Sequence, residues 1–292
     1  MSWLEALIAG VIQGLTEFLP ISSSGHLVIY SELISEGESG GGNLAFTVFL
    51  HFATLLAVVL VYRKDVVGLV RELVSVVVDL VHGRVDFSTP PRRYLLMVII
   101  GTIPAVAAGV LIKKFEIESI LENIYVVAIM LLVTAILMFN VDNIREGNWT
   151  GRNAPLWTAV PVGVFQALAI LPGLSRSGST IFGGVAVGFK KEFAVRFAFI
   201  LSIPAVLGAT IVELRDLPTG EGAGGFGGGA LFLGFVAAFF CGVLAIKFIR
   251  LLIRSRKFWI FGIYCILASL VAFLTGVGLM QPLLNELLGV LA

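Results

Sequence analysis

Gln13-Gly-Leu-Thr-Glu17-Phe-Leu-Pro20-Ile-Ser22-Ser23-Ser24-Gly25-His26 places a carboxylate, three hydroxyls and an imidazole within fourteen residues. It follows an apolar run from Leu7 to Leu15. An ionisable group at the centre of a membrane helix costs roughly 2.5–3.5 kcal/mol by insertion scales, so the usual reason for its presence is function. Pro20 and the serine run end the helix at that depth. Broken backbone inside a bilayer persists only where protein covers it or where it lines a polar cavity. The blander reading is a kinked helix whose serines bond back to its own carbonyls. A second break of the same kind, later in the chain, argues against it.

Composition agrees with a membrane setting. The chain has 292 residues, 58% hydrophobic and 13% charged, with a mean hydropathy of +1.01. Soluble domains carry about 25% charge, so the chain reads as an all-α polytopic membrane protein. A formal net charge of +1 gives no ground for a nucleic-acid partner. Cys241 and Cys265 lie in apolar spans without metal-ligand spacing and read as small core residues. No cleavable signal peptide is expected: Glu5 and Glu17 interrupt the N-terminal apolar stretch, and the first Lys or Arg is Arg63.

Working outward, the broken segment covers about 3–30, followed by a polar loop at 31–43. Residues 44–62 form the first full span, long enough to cross a bilayer. A basic connection at 63–93 contains an interfacial helix at 66–81. Further spans are expected at 94–112, with a kink at Pro104, and at 124–141, joined by a charged turn at 113–122. The polar segment 142–153 divides the chain. A second interrupted stretch, 157–189, breaks at Pro172-Gly-Leu-Ser175-Arg176-Ser177-Gly-Ser179-Thr180. Spans follow at 192–213, 230–249 and 258–278, with a flexible loop at 220–229. The apolar tail with Pro282 and Glu286 reads as a surface-lying helix.

The halves repeat. Gly163-Val-Phe-Gln166-Ala-Leu answers Gly10-Val-Ile-Gln13-Gly-Leu, and each then reaches a Pro and a Ser-x-Ser-Gly. The fifteen residues 101–115 match 234–248 at seven positions without gaps. The chain is therefore expected to be one membrane domain over 1–292, with a first repeat at 1–141 and a second at 155–292. Each half is one re-entrant helical hairpin plus three transmembrane helices, six spans in total. Three is odd, so the second repeat enters inverted, a plan whose paired broken helices meet at the midplane. With the N-terminus on one side, the opposite side receives sixteen of the twenty Lys and Arg, and the first side only Lys113, Lys114 and Arg215. The basic side is cytoplasmic. Both termini are then expected outside the plasma membrane.

If the two breaks meet, Glu17, Ser22, Ser23, Ser24 and His26 face Ser175, Arg176, Ser177, Ser179 and Thr180. Arg176 offers a planar fork suited to phosphate oxygens. Glycines and serines ahead of a helix present N–H groups and hydroxyls to an anion. Glu17 and Gln13, four apart on one helix face, offer oxygens to Mg²⁺ or Ca²⁺. His26 can carry a proton or attack phosphorus. The expected substrate is an amphiphile bearing phosphate. Blander readings stand beside these: Arg176 as an anchor at the cytoplasmic side, the serines of the second break as helix caps, and His51 as a hydrogen-bonded span histidine outside the catalytic set. Pro104 and Pro204 are kinks. No Gly-x-x-x-x-Gly-Lys loop is present. The acid-phosphatase type of lipid phosphatase is excluded, because its later His and Asp would fall on Phe182 and Ala186.

On the two motifs, residues 13–26 and Leu171-Pro-Gly-Leu-Ser175-Arg176-Ser-Gly-Ser-Thr180, the chain resembles the undecaprenyl-diphosphate phosphatase family of the bacitracin-resistance type. The similarity runs over nearly the whole chain. It implies an integral membrane enzyme that hydrolyses a polyprenyl diphosphate to the monophosphate and recycles the carrier lipid for envelope glycan synthesis. It further implies a divalent cation and a site open to the outer face. The family's metal-site pair falls on Gln13 and Glu17, its functional serine on Ser23 and its histidine on His26. Its second-motif Ser, Arg and Thr fall on Ser175, Arg176 and Thr180. Many members have Glu where this chain has Gln13, which removes one negative charge from the metal site.

The resulting expectation is that Glu17, Ser23, His26 and Arg176 are catalytic and that Ser24, Ser175, Arg176, Ser177 and Thr180 bind phosphate. Ser23 or His26 attacks, with His26 as base for Ser23 preferred. The rival reading is a flippase for a phosphorylated polyprenyl lipid, since inverted repeats with midplane breaks are also a transporter plan. Isoprenoid length, the nucleophile, the metal and the oligomeric state, a homodimer included, are left open.

Overall fold

A computed structural model of the chain describes residues 2–34, 44–83, 86–115, 123–215 and 228–280. The remainder of the 31–43 loop, most of the 113–122 turn, nearly all of the 220–229 loop and the tail with Pro282 and Glu286 lie outside the described residues. The described residues form helices and no strand; Trp149 and Phe189 share one isolated bridge. In chain order the helices are α1 Trp3–Phe18, α2 Ser23–Ile34, α3 Leu44–Val61, α4 Arg63–Val81, α5 Pro90–Phe115, α6 Ile124–Asn143, α7 Ala159–Leu168, α8 Arg176–Ala186, α9 Lys191–Arg215, α10 Gly228–Ser255 and α11 Trp259–Gly276. A single 3₁₀ turn, Leu156–Thr158, leads into α7.

Five of these, α5, α6, α9, α10 and α11, are long and apolar enough to cross a bilayer, and α3 with α4 makes a sixth if that bent pair is one span. The pair bends by 90° at Tyr62. α4 buries only Val76 and leaves Val67, Val70, Val74, Val77 and Val81 exposed. Neither Pro104 nor Pro204 interrupts its helix. The other spans are apolar on their outer faces too: Ile103, Val110, Ile136, Phe240 and Leu267 are all exposed. Backbone groups closed within helices and apolar side chains turned outward are what a hydrocarbon solvent selects.

The core is built by cross-packing of the two halves. α1 lies against α10, and α7 lies against α5. Both contacts close backbone to backbone at glycine. A Cβ on Gly10 would stand 2.2 Å from the Gly234 carbonyl oxygen, and one on Gly163 would stand 2.3 Å from that of Gly101. Small residues at such crossings let helices approach where no hydrophobic effect drives them together. The helix ahead of each break, α1 or α7, is thus held by a long helix distant in the chain. Behind the hairpins, Phe189, Phe193 and Phe197 stack through ring contacts of 4.8 and 5.8 Å and are buried.

Candidate active site

Two helix breaks make the site, and they are built alike. α1 stops at Leu19, whose extended backbone leads into Pro20. Ser22 then takes a left-handed φ of 68°, a conformation that costs a residue with a Cβ roughly 1–2 kcal/mol. Its hydroxyl accepts from the Gly25 N–H at 3.2 Å and lies 3.3 Å from the Ser24 hydroxyl. In the second break Ser175 caps α8: its hydroxyl accepts from the Gly178 N–H at 3.2 Å and lies 3.2 Å from the Ser177 hydroxyl. Ser-x-Ser-Gly is therefore one capping device used twice, satisfying N–H groups that a helix start leaves open. The capping expected of at least one serine in the second break holds for Ser175.

The breaks touch. Ser177 Oγ donates to the Leu19 carbonyl at 3.2 Å. A Cβ on Gly25 would lie 3.0 Å from Gly173 Cα. Gly173 has a φ of +91°, and a Cβ there would lie 2.5 Å from the Val127 carbonyl oxygen, so only glycine fits. Thr134 on α6 ties the second break down, donating to the Gly173 carbonyl and accepting from the Ser175 N–H, both at 3.0 Å.

A cavity of about 120 Å³ opens between them, lined by Glu17, Ser22, Ser23, Ser24, Ser175 and Arg176, with His51 on its wall. Its size suits a phosphate group rather than a lipid tail. Both α2 and α8 start at this cavity, so two positive helix ends face it. Glu17 is 10% exposed and stands at its centre. Ser23 Oγ donates to Glu17 Oε2 at 3.0 Å, Gln13 Nε2 donates to the same oxygen at 3.1 Å, and Arg176 pairs with Oε1 at 3.4 Å. A hydroxyl aimed at a carboxylate beside an arginine is an arrangement that can supply a nucleophile, a base and an anion clamp together.

Three of the expected site residues are engaged elsewhere in this structure. His26 makes no hydrogen bond to Ser23 here. Its Nδ1 lies 2.7 Å from the Ser22 carbonyl and its Nε2 2.6 Å from the Tyr264 hydroxyl, so both ring nitrogens are engaged and Ser23 turns to Glu17 instead. The ring stacks on Tyr264 at 5.5 Å, outside the cavity lining. The reason is geometric: the left-handed Ser22 aims the first turn of α2 so that Ser23 faces inward and His26 faces α11. Thr180 is buried, and its hydroxyl donates back to the Arg176 and Ser177 carbonyls at 2.7 and 3.2 Å. It shapes the first turn of α8 and does not line the cavity. Ser177 likewise points to Leu19 and Ser175, not to the cavity.

His51, set outside the catalytic group by sequence, is the imidazole that does line the cavity; its Nδ1 lies 3.7 Å from Glu213 Oε2 on α9. Its signal was available, as the only ionisable residue of its span. Glu213 and Tyr264 carried none, sitting at the edge of or within ordinary apolar spans. Among the described residues no three His, Cys, Asp or Glu side chains gather as a metal cage. Glu17 is a single carboxylate, which suits Mg²⁺ held by one carboxylate plus phosphate oxygens of a ligand.

The family model described as bacitracin resistance protein BacA matches residues 6–271. The undecaprenyl-diphosphatase of Methanobrevibacter smithii is 40% identical over 278 residues, 94% of this chain and 98% of that protein. Those of Alkaliphilus metalliredigens and Korarchaeum cryptofilum are 38% and 37% identical, covering 90% and 92% of this chain and 95% and 98% of theirs.

Proposed function

Because the chain belongs to the bacitracin resistance protein BacA family, we propose that it hydrolyses undecaprenyl diphosphate to the monophosphate and inorganic phosphate. The observation that carries this reading is the Ser23 hydroxyl directed at Glu17 beside Arg176 in a phosphate-sized cavity. Arg176 and the N–H groups at the starts of α2 and α8 hold the terminal phosphate. Ser23 Oγ attacks its phosphorus as Glu17 takes the hydroxyl proton. The bond from that phosphorus to the bridging oxygen breaks, and the polyprenyl monophosphate leaves. Water then cleaves the phosphoserine, releasing inorganic phosphate, while Glu17 handles the proton a second time. His51 adds a protonatable group to the cavity wall, and His26 positions the break through Ser22 and Tyr264. A flippase would need the anion clamp but not the Ser23–Glu17 pair.

A divalent cation, Mg²⁺ or Ca²⁺, would be held by Glu17, with Gln13 turned to offer its oxygen, and by the substrate's own phosphates. It would neutralise diphosphate charge. Full activity after exhaustive chelation would remove it from this proposal.

The wider arrangement is also proposed. Residues 1–141 and 155–292 are inverted repeats, six spans with two re-entrant hairpins, α1–α2 and α7–α8. Support comes from Gly10 and Gly163, equivalent in the repeat, which meet Gly234 and Gly101, equivalent to each other. The distribution of basic loops supports α4 at the cytoplasmic surface and both termini outside, with the site open to the outer face. The isoprenoid tail lies along exposed apolar helix faces. Purified protein given farnesyl diphosphate should release phosphate, and Ser23→Ala and Glu17→Gln should each lower that rate by about 10²-fold or more. Undiminished release from both variants would overturn the assignment.

A further inference from the structure

A second cavity, of about 860 Å³, opens where α3, α5, α9 and α10 meet near the 150–152 turn. It is separate from the catalytic cavity. Along α3, Tyr62 on its wall lies eleven residues from His51, about 16 Å at 1.5 Å per residue. Along α9, Arg196 on its wall lies seventeen residues from Glu213, about 25 Å.

Its lining is strongly cationic: Arg152, Lys190, Arg196, Arg250 and Arg254 against a single carboxylate, Glu192. Arg196 is paired with Asp65, and Arg254 Nε with Glu192 Oε1 at 2.8 Å. Among the described residues Arg152, Lys190 and Arg250 have no carboxylate partner, and the Arg250 guanidinium stands 5.8 Å over the Tyr62 ring. Beneath these cations the hydroxyls of Tyr62 and Tyr94 are buried without a hydrogen-bond partner. Both oxygens are closed off from the cavity's solvent, so the groups open to a ligand are the cations. Uncompensated arginines and a lysine around one cavity suit a multivalent anion with several oxygens, and Pro90, Pro91 and Ile253 add an apolar side.

We infer that this cavity is a second phosphate site, taking a phosphate monoester or diphosphate group at the basic end of the bundle. Arg250, Lys190 and Arg152 neutralise the anion. The inference does not depend on the hydrolytic reading, because none of its residues belongs to the catalytic cavity.

The test uses full-length protein in phosphatidylcholine nanodiscs carrying Ser23→Ala and Arg176→Ala, which disable the first site. Farnesyl phosphate and inorganic pyrophosphate are titrated separately by calorimetry, with retained helicity checked by circular dichroism. About one equivalent of at least one probe should still bind. Adding Lys190→Gln and Arg250→Gln, both on exposed side chains, should weaken it about tenfold or more. Arg250→Lys in place of Arg250→Gln should restore part of the loss. The Lys190→Gln, Arg250→Gln pair in otherwise intact protein should leave diphosphate hydrolysis unchanged. Binding of farnesyl phosphate alone makes the ligand a lipid headgroup, and equal binding of pyrophosphate makes it a soluble anion; either retains the site. No binding by the helical Ser23→Ala, Arg176→Ala protein, or binding indifferent to Lys190 and Arg250, overturns it.

Discussion

At the scale of single residues, the site turns on which side chain each break aims inward. Arg176 is a fork placed on Glu17 at 3.4 Å and 35% exposed toward the cavity. Arg176→Lys keeps the charge and loses the bidentate geometry. It should lower kcat by about 10²-fold, the scale of losing one transition-state donor, with the fold intact by circular dichroism; near-normal turnover would return Arg176 to a mere anchor. His26 and Tyr264 make a different case. They act on Ser22 as one unit, so Tyr264→Phe and His26→Gln should each lower kcat, and the double variant should cost little more than the worse single. Losses that multiply would separate them, and a trapped phosphohistidine would make His26 the nucleophile. Glu17, Ser23 and Arg176 were legible because charge and hydroxyls at a membrane break have few other uses. The division of labour between His26 and His51 was not legible. It depends on the sign of one backbone angle at Ser22 and on a side chain 238 positions away.

At the scale of elements, the broken helices were readable from Pro20 and Pro172-Gly173, and α5, α6, α9, α10 and α11 from runs of apolar residues. Boundaries were less so. α5 begins at Pro90 and runs to Phe115, longer at both ends than its apolar run, because Pro90 suits a first turn and Arg92 is held by Glu72 and Asp79 of α4. Partners were not readable at all: nothing local says that α1 packs on α10 rather than on its own α2. The glycines that close those crossings give a direct check. Gly10→Ala and Gly163→Ala each force a methyl into a carbonyl of the facing helix, and overpacking of this kind costs about 1–3 kcal/mol. Both should lower the melting temperature in detergent. Gly109→Ala meets nothing within 4 Å and should leave it unchanged or slightly raised. Equal melting of all three would mean that α1 and α7 are not held in these grooves.

At the scale of the whole molecule, one asymmetry orients everything: Lys and Arg gather at the end of the bundle where Tyr62, Arg92, Lys190 and Arg250 lie, away from the breaks. If the basic end is the cytoplasmic one, as proposed, the catalytic cavity would face outward, where a diphosphate carrier lipid would be released from glycan assembly. In the proposed arrangement, three spans between the hairpins would make the second enter from the side opposite the first. Single cysteines in a chain carrying Cys241→Ala and Cys265→Ala test both statements with a membrane-impermeant maleimide on intact cells. Phe115→Cys and Val277→Cys, both exposed, should label from outside, as should a cysteine placed within 35–40. Ser88→Cys and Arg145→Cys, exposed beyond the other ends of α5 and α6, should label only after permeabilisation. The decisive pair is 35–40 against Arg145, since these follow the first hairpin and precede the second. Labelling of both from one side would leave an even number of crossings between them, and two hairpins entering from the same face could not be related by inversion.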